Sequence, residues 1–300
     1  MDILKRIQDL KEMRNAVILA HNYQVPEVQD IADHLGDSLG LSITASNTDA
    51  EVIVFCGVDF MAESAKILSP KKTVILPHSE AKCPMAAMCT PKMIREMKEK
   101  YPEAKVVGYV NSSAECKAEM DLCCTSANAV KVVASLEASQ VIFVPDRNLG
   151  QYVQRFMPEK EIILWPGFCP THQGITPDQV NGIKNEHPDA VFLAHPECRP
   201  DVIDIADFVG STQGMVDFVS DTVSNEIIVG TELDMTYRLR KEAPDKTFYH
   251  LPMAVCPTMK MISLESIALS LENMTPTIEL SPEIIEKASI PLERMTQIGR

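Results

Sequence analysis

The chain is short of positive charge: 28 lysines and arginines face 42 acids, a formal balance of 28 − 42, or −14. Nucleic acid and anionic lipid surfaces repel such a polyanion, which argues against both as partners. Long apolar runs are also missing. No stretch approaches the roughly 20 residues that a membrane span requires. The first fifteen residues mix acids and bases in an amphipathic helical pattern, unlike a secretion signal, so a cytoplasmic chain is expected. A clustered cysteine-ligand motif is the third absence. Nothing like C-x2-C-x2-C occurs, which argues against an electron-transfer cluster of the usual kind. Nine cysteines in a reducing compartment point to metal or catalysis rather than disulfides.

What is present is a threefold repetition. Apolar runs end in Cys-Pro at Cys83, Cys169 and Cys256, spaced by 86 and 87 residues. Residues 17–38 (VILAHNYQVPEVQDIADHLGDS) and 191–212 (VFLAHPECRPDVIDIADFVGST) align without a gap, and 11 of the 22 positions are identical. His21 falls on His195, Pro26 on Pro200, and the Ile-Ala-Asp runs from Ile31 and Ile205 coincide. A middle copy is more diverged but keeps the pattern in VVGYVNSS from Val106 and MDLCCTS from Met120. Such self-similarity marks internal duplication. Length alone suggests about two domains; the repeat argues for three. Expected units are 1–90, 91–176 and 177–261, followed by closing helices over 262–300.

The intervals within a copy repeat as well. His21 to Cys83, Tyr109 to Cys169 and His195 to Cys256 span 62, 60 and 61 residues, while His21 to Ser38, Tyr109 to Ser126 and His195 to Thr212 are each 17. Within one copy, short apolar runs at 17–20, 52–55 and 73–76 read as buried parallel strands. Helical stretches at 26–35, 39–46 and 60–68 separate them, and further helices are expected at 91–101, 127–136, 177–187 and 213–219. Alternating strands and helices predict an α/β fold of three αβα sandwich units with small parallel sheets, taking ligands at the carboxyl ends of the strands.

Each station carries chemistry. Proline after cysteine keeps the thiol out of helical geometry and at a strand end. Three such thiolates suit either zinc with an open fourth position or a cubane iron-sulfur cluster with one iron lacking a protein ligand. Residues i and i+2 share a face at a strand end, so His21 with Tyr23, Tyr109 with Asn111 and His195 with Glu197 form three pairs that together supply general acids, bases and hydrogen-bond donors. Ser38, Ser126 and Thr212 each precede a helical stretch and are expected as N-caps. Three helix N-termini aimed together would bind carboxylate or phosphate. Cys56, Cys89, Cys116, Cys123, Cys124 and Cys198 occupy no triplicated station and read as core. His34, His78, His187 and His250 read as surface or packing residues.

Several runs are more specific. LAHNYQ-x-PE-x-QD-x-AD-x-x-GDSL from Leu19, Y-x-NS-x-AE-x-K from Tyr109, TSANA from Thr125, PDRNLG from Pro145, HPEC from His195 and MAVCP-x-MK from Met253 closely resemble the quinolinate synthase family. The resemblance covers residue 5 to the end. It implies a 4Fe-4S cluster on Cys83, Cys169 and Cys256, one iron open, at the junction of three pseudo-threefold-related domains. It implies condensation of iminoaspartate with dihydroxyacetone phosphate to quinolinate, with loss of phosphate and two waters, in NAD biosynthesis. An aspartate oxidase or dehydrogenase would supply the imine. The implied substrate ring is His21, Ser38, Tyr109, Asn111, Ser126, His195, Glu197 and Thr212. Glu197 is the candidate general base and Tyr23 the proton-transfer group, and His172 stands three residues beyond a ligand cysteine. A zinc-thiolate transferase and an iron-sulfur sensor or electron carrier are the alternatives. Some family members carry C-x-x-C-x-x-C near the last ligand; this chain reads Cys256-Pro-Thr-Met-Lys-Met-Ile, so thiol redox control there is not expected.

Overall fold

The computed structural model describes residues 2–299. Three four-stranded parallel sheets follow one another along the chain. The first contains β1 (Ala16–His21), β2 (His34–Gly36), β3 (Val52–Cys56) and β4 (Thr73–Ile75). The second contains β5 (Lys105–Tyr109), β6 (Leu122–Cys124), β7 (Gln140–Val144) and β8 (Glu161–Leu164). The third contains β9 (Val191–Ala194), β10 (Phe208–Val209), β11 (Glu226–Gly230) and β12 (Thr247–His250). Their orders are β2-β1-β3-β4, β6-β5-β7-β8 and β10-β9-β11-β12, one topology three times. The α/β expectation therefore holds. The central strands are apolar throughout; Val52–Cys56 is buried at every position because helices cover both faces.

The duplication extends to individual hydrogen bonds. Oδ2 of Asp33, Asp121 and Asp207 accepts the backbone N–H of Ile18, Val106 and Phe192 at 2.8, 2.8 and 2.7 Å. Lys72, Lys160 and Lys246 donate to the carbonyls of Thr48 and Ala50, Leu136 and Ala138, and Thr222 and Ser224. Each lysine thereby satisfies acceptors where the chain leaves a helix for the next strand.

Two local expectations need correction. The helix expected over 26–35 ends at Ile31, and Leu35 lies in β2. Both the carboxylate and the N–H of Asp33 bind the backbone of Ile18, which pulls the chain into the sheet. Nor do Ser38, Ser126 and Thr212 cap their helices. Asp37 caps Ser38–Asn47 by accepting from Gly40 N, and Ser211 caps Thr212–Asp221 by accepting from Gly214 N. In the middle copy, Asn128 Oδ1 takes the N–H of Thr125 at 2.8 Å, and the helix Ala129–Ala134 begins beyond Ser126. In the first and third copies the capping duty thus falls to the preceding residue, while Thr212 Oγ1 accepts from Asn22 Nδ2 at 2.9 Å and Ser126 Oγ meets His195 Nε2.

Two helices close the molecule. Leu264–Asn273 packs on Ile3–Met13, and Pro282–Ile298 lies against β6 and the helices Asp59–Leu68 and Ala114–Lys117. Between them, Pro276 O accepts from Leu76 N and Ile278 N donates to Val74 O, which satisfies the free edge of β4.

Candidate active site

The carboxyl ends of the three sheets meet at one cavity. It is lined by His21, Tyr23, Ser38, Cys83, Tyr109, Asn111, Ser126, Cys169, His172, His195, Glu197, Thr212 and Cys256, so every candidate from the sequence reaches it. His21 and Tyr109 end β1 and β5, and His195 follows β9 directly. Short loops then carry Tyr23, Asn111 and Glu197 back to the same space.

The two equivalent histidines share one electrostatic state. His21 Nδ1 accepts the N–H of Tyr23 at 3.2 Å, and His195 Nδ1 accepts that of Glu197 at 3.4 Å. A ring nitrogen that accepts carries no proton, so both imidazoles are neutral with the proton on Nε2. Burial lowers both from 6.5 to about 3 despite the nearby Glu197 charge. The pair therefore supplies neutral donors, and His195 Nε2 lies 3.1 Å from Ser126 Oγ.

Glu197 is the electrostatic centre. Its Oε2 is 2.6 Å from His172 Nδ1 and 3.6 Å from His195 Nδ1, and Asn111 Nδ2 donates to its Oε1 at 3.4 Å. Burial opposes its charge, but the charge and hydrogen bond of His172, the nearness of His195 and the Tyr109 hydroxyl hold the carboxyl well below its usual range. Burial and the Glu197 charge push the Tyr23 and Tyr109 phenols well above theirs, so both keep their protons. Glu197 by itself is thus a weak base. With His172 it forms a coupled acid-base unit.

Thr231 escaped the sequence reading. Its Oγ1 is 2.5 Å from Tyr23 Oη and 2.8 Å from His172 Nε2, so it joins the tyrosine to the histidine–glutamate pair. It directly follows β11, a strand end at which no station was sought; a hydroxyl there was the available signal. Buried or half-buried polar side chains also cross all three seams between sheet units. Lys117 donates to Phe60 O and Ser112 O, Asn148 Nδ2 to Glu197 O, and Lys260 Nζ to Tyr23 O.

The thiols suit a metal centre. The sulfur of Cys83 takes backbone N–H bonds from Ala86 and Met85, and that of Cys169 from His172. Burial pushes Cys83 up to about 12 and Cys169 well above its ordinary value. Thiolates there need compensating positive charge, which a bound metal provides. Donor atoms of Cys169, His172 and Glu197 also lie within 4.8 Å of one another. The other cysteines are buried and free of disulfides. The remaining histidines do not line the cavity; His187 stacks on Tyr249.

Fold and site together define a class: an α/β enzyme of three repeated parallel-sheet units with a thiol-lined, acid-base-rich cavity between them. The family described as Quinolinate synthetase A protein matches residues 5–297. Quinolinate synthase 1 of Methanosarcina acetivorans is 53% identical over 298 residues, covering 99% of this chain and 98% of that protein. The Quinolinate synthase of Geotalea uraniireducens is 54% identical over 300 residues, covering 100% and 98%. That of Geobacter sp. strain M21 is 53% identical over 295 residues, covering 98% and 97%. The chain belongs to the quinolinate synthase family.

Proposed function

We propose that this cavity condenses iminoaspartate with dihydroxyacetone phosphate to quinolinate, releasing phosphate and two waters, for NAD biosynthesis. One observation carries the reading: a cysteine, a pair of polar side chains and a hydroxyl from each repeat face the same buried space. Cys83, Cys169 and Cys256 would hold a 4Fe-4S cluster. Three thiols from three separate units, two of them receiving backbone N–H bonds, fit that group. When bound, it supplies Lewis-acid chemistry through an iron without a protein ligand, easing departure of hydroxide in the dehydration steps.

The chain's own residues do the rest. Ser38 and Thr212 open the helices Ser38–Asn47 and Thr212–Asp221, so their hydroxyls and first-turn N–H groups hold substrate carboxylate or phosphate within an acidic protein. Ser126 adds a third hydroxyl, and His21 and His195 donate Nε2–H to developing oxyanions. Asn111 and Tyr109 orient Glu197. The Glu197–His172 pair takes up and returns the carbon-bound protons, and Tyr23, joined to His172 through Thr231, delivers a proton in isomerisation and dehydration. Buried walls exclude bulk water from the imine. An aspartate oxidase or dehydrogenase would supply that imine. We assign the repeats to 1–90, 91–176 and 177–261, with 262–300 closing the molecule, and the chain to the cytoplasm.

The clustering of Cys169, His172 and Glu197 favours a second reading, a single zinc-type cation. Metal analysis after anaerobic purification separates the two. About four irons and four sulfides per chain, with quinolinate formed from the two substrates, are expected. Zinc without iron, or iron without product, overturns the proposal.

A further inference from the structure

Two of the three thiol-bearing loops are tethered in the same way. The backbone N–H of Cys83 is accepted by Asp59 Oδ1 at 3.1 Å, and that of Cys256 by Glu232 Oε1 at 3.2 Å, each carboxylate lying 24 residues upstream. In the middle repeat, Asp146 instead caps the helix Arg147–Gln154 through the N–H groups of Asn148 and Leu149. The third tether has an addition. Lys260, four residues beyond Cys256, has no counterpart: the corresponding residues are Ala87 and Gln173.

The Lys260 ammonium uses all three of its donors. They reach Glu232 Oε1 at 2.7 Å, Asp234 Oδ2 at 2.5 Å and Tyr23 O at 2.7 Å. Beside it, Gln24 Nε2 donates to Met259 O at 2.9 Å, a second link across the same seam. Glu232 is fully buried and lines the cavity. A buried carboxylate keeps its charge only when paired. An unpaired charge there would also repel the anionic substrates.

We propose that Lys260 is a positioning residue that locks the Cys256 loop to the Tyr23 loop through the buried Glu232 carboxylate. One ammonium thereby sets two parts of the site against each other: the proton-transfer tyrosine of the first repeat and the thiol of the third. At the first tether the nearby buried lysine, Lys117, bonds the carbonyls of Phe60 and Ser112 and not the Asp59 carboxylate. The inference rests on reading Cys256 as a cluster ligand.

The test uses the full chain, reconstituted anaerobically with iron and sulfide. For Lys260→Met we expect iron release to a ferrous chelator about tenfold faster than wild type, the scale of one lost charge-assisted hydrogen bond. The electron paramagnetic resonance spectrum of the reduced cluster should shift with it. Lys260→Arg keeps the charge but offers a planar fork in place of three tetrahedral donors, so its release rate should fall between the two. Lys246→Met, which removes a lysine bound only to the carbonyls of Thr222 and Ser224, should lower the melting temperature without changing release or spectrum. Wild-type release and spectrum in Lys260→Met overturn the proposal, as does a Lys246→Met variant that loosens iron equally. Full cluster retention in Cys256→Ser would instead overturn the ligand assignment beneath it.

Discussion

The Glu197 carboxylate meets Nδ1 of His172 at 2.6 Å, and both side chains are almost wholly shut off from solvent. Two groups so placed act as one unit, so their removals should not add. Glu197→Gln and His172→Gln are each expected to reduce quinolinate formation by about 100- to 10,000-fold, the usual scale for a lost acid-base group. The double variant should be little worse than either single one, with iron content near wild type. Multiplicative losses would show that the two act separately.

The hydroxyls at the helix starts give a second contrast. Because Asp37 holds the cap, Ser38→Ala should leave denaturant stability within about 0.5 kcal/mol of wild type, whereas Thr212→Ala strands the buried Asn22 amide and should cost about 1–3 kcal/mol. They should still raise the KM for substrate. Ser211→Ala removes a genuine cap and should cost about 1 kcal/mol. A matching stability loss in Ser38→Ala would mean that its hydroxyl serves the fold.

His21 and His195 make stability depend on pH. Burial lowers both from 6.5 to about 3, so in acid the unfolded chain takes up protons that the folded chain refuses. Their contribution is full above about pH 6.5 and is lost as pH falls towards 3. Urea midpoints of the metal-free chain should therefore drop between pH 7 and 5 more steeply in wild type than in a His21→Asn, His195→Asn double variant. Equal slopes would contradict the neutral assignment.

The triplicated aspartates predict three similar stability losses. Asp33→Ala, Asp121→Ala and Asp207→Ala each leave a strand N–H without its acceptor, at about 1–3 kcal/mol. The Asn variants retain an acceptor oxygen and should lose less. Since the three bind strands of separate sheets, pairs of substitutions should add within about 0.5 kcal/mol. Differential scanning calorimetry on single and double variants checks both statements.

Much of this was legible in the sequence because duplication writes a tertiary relationship into primary spacing. The intervals of 17 residues, the Cys-Pro steps and the i, i+2 pairs placed twelve residues on one cavity, and the family resemblance added His172. Apolar runs of strand length, alternating with helical stretches, determined three parallel sheets. The recurring aspartate was visible too, although its role as acceptor for a strand N–H was not.

Tertiary structure decided what spacing cannot encode. Whether Ser38 or Asp37 caps a helix depends on backbone direction at one residue, since both side chains can accept the same N–H. Thr231 and Lys260 act between repeats and have no repeated counterpart to announce them. The states of His21, His195 and Glu197 follow from burial and from which nitrogen or oxygen faces which donor. Those quantities exist only once the chain has closed around the cavity, because desolvation and Coulomb energies depend on distance in space rather than along the chain.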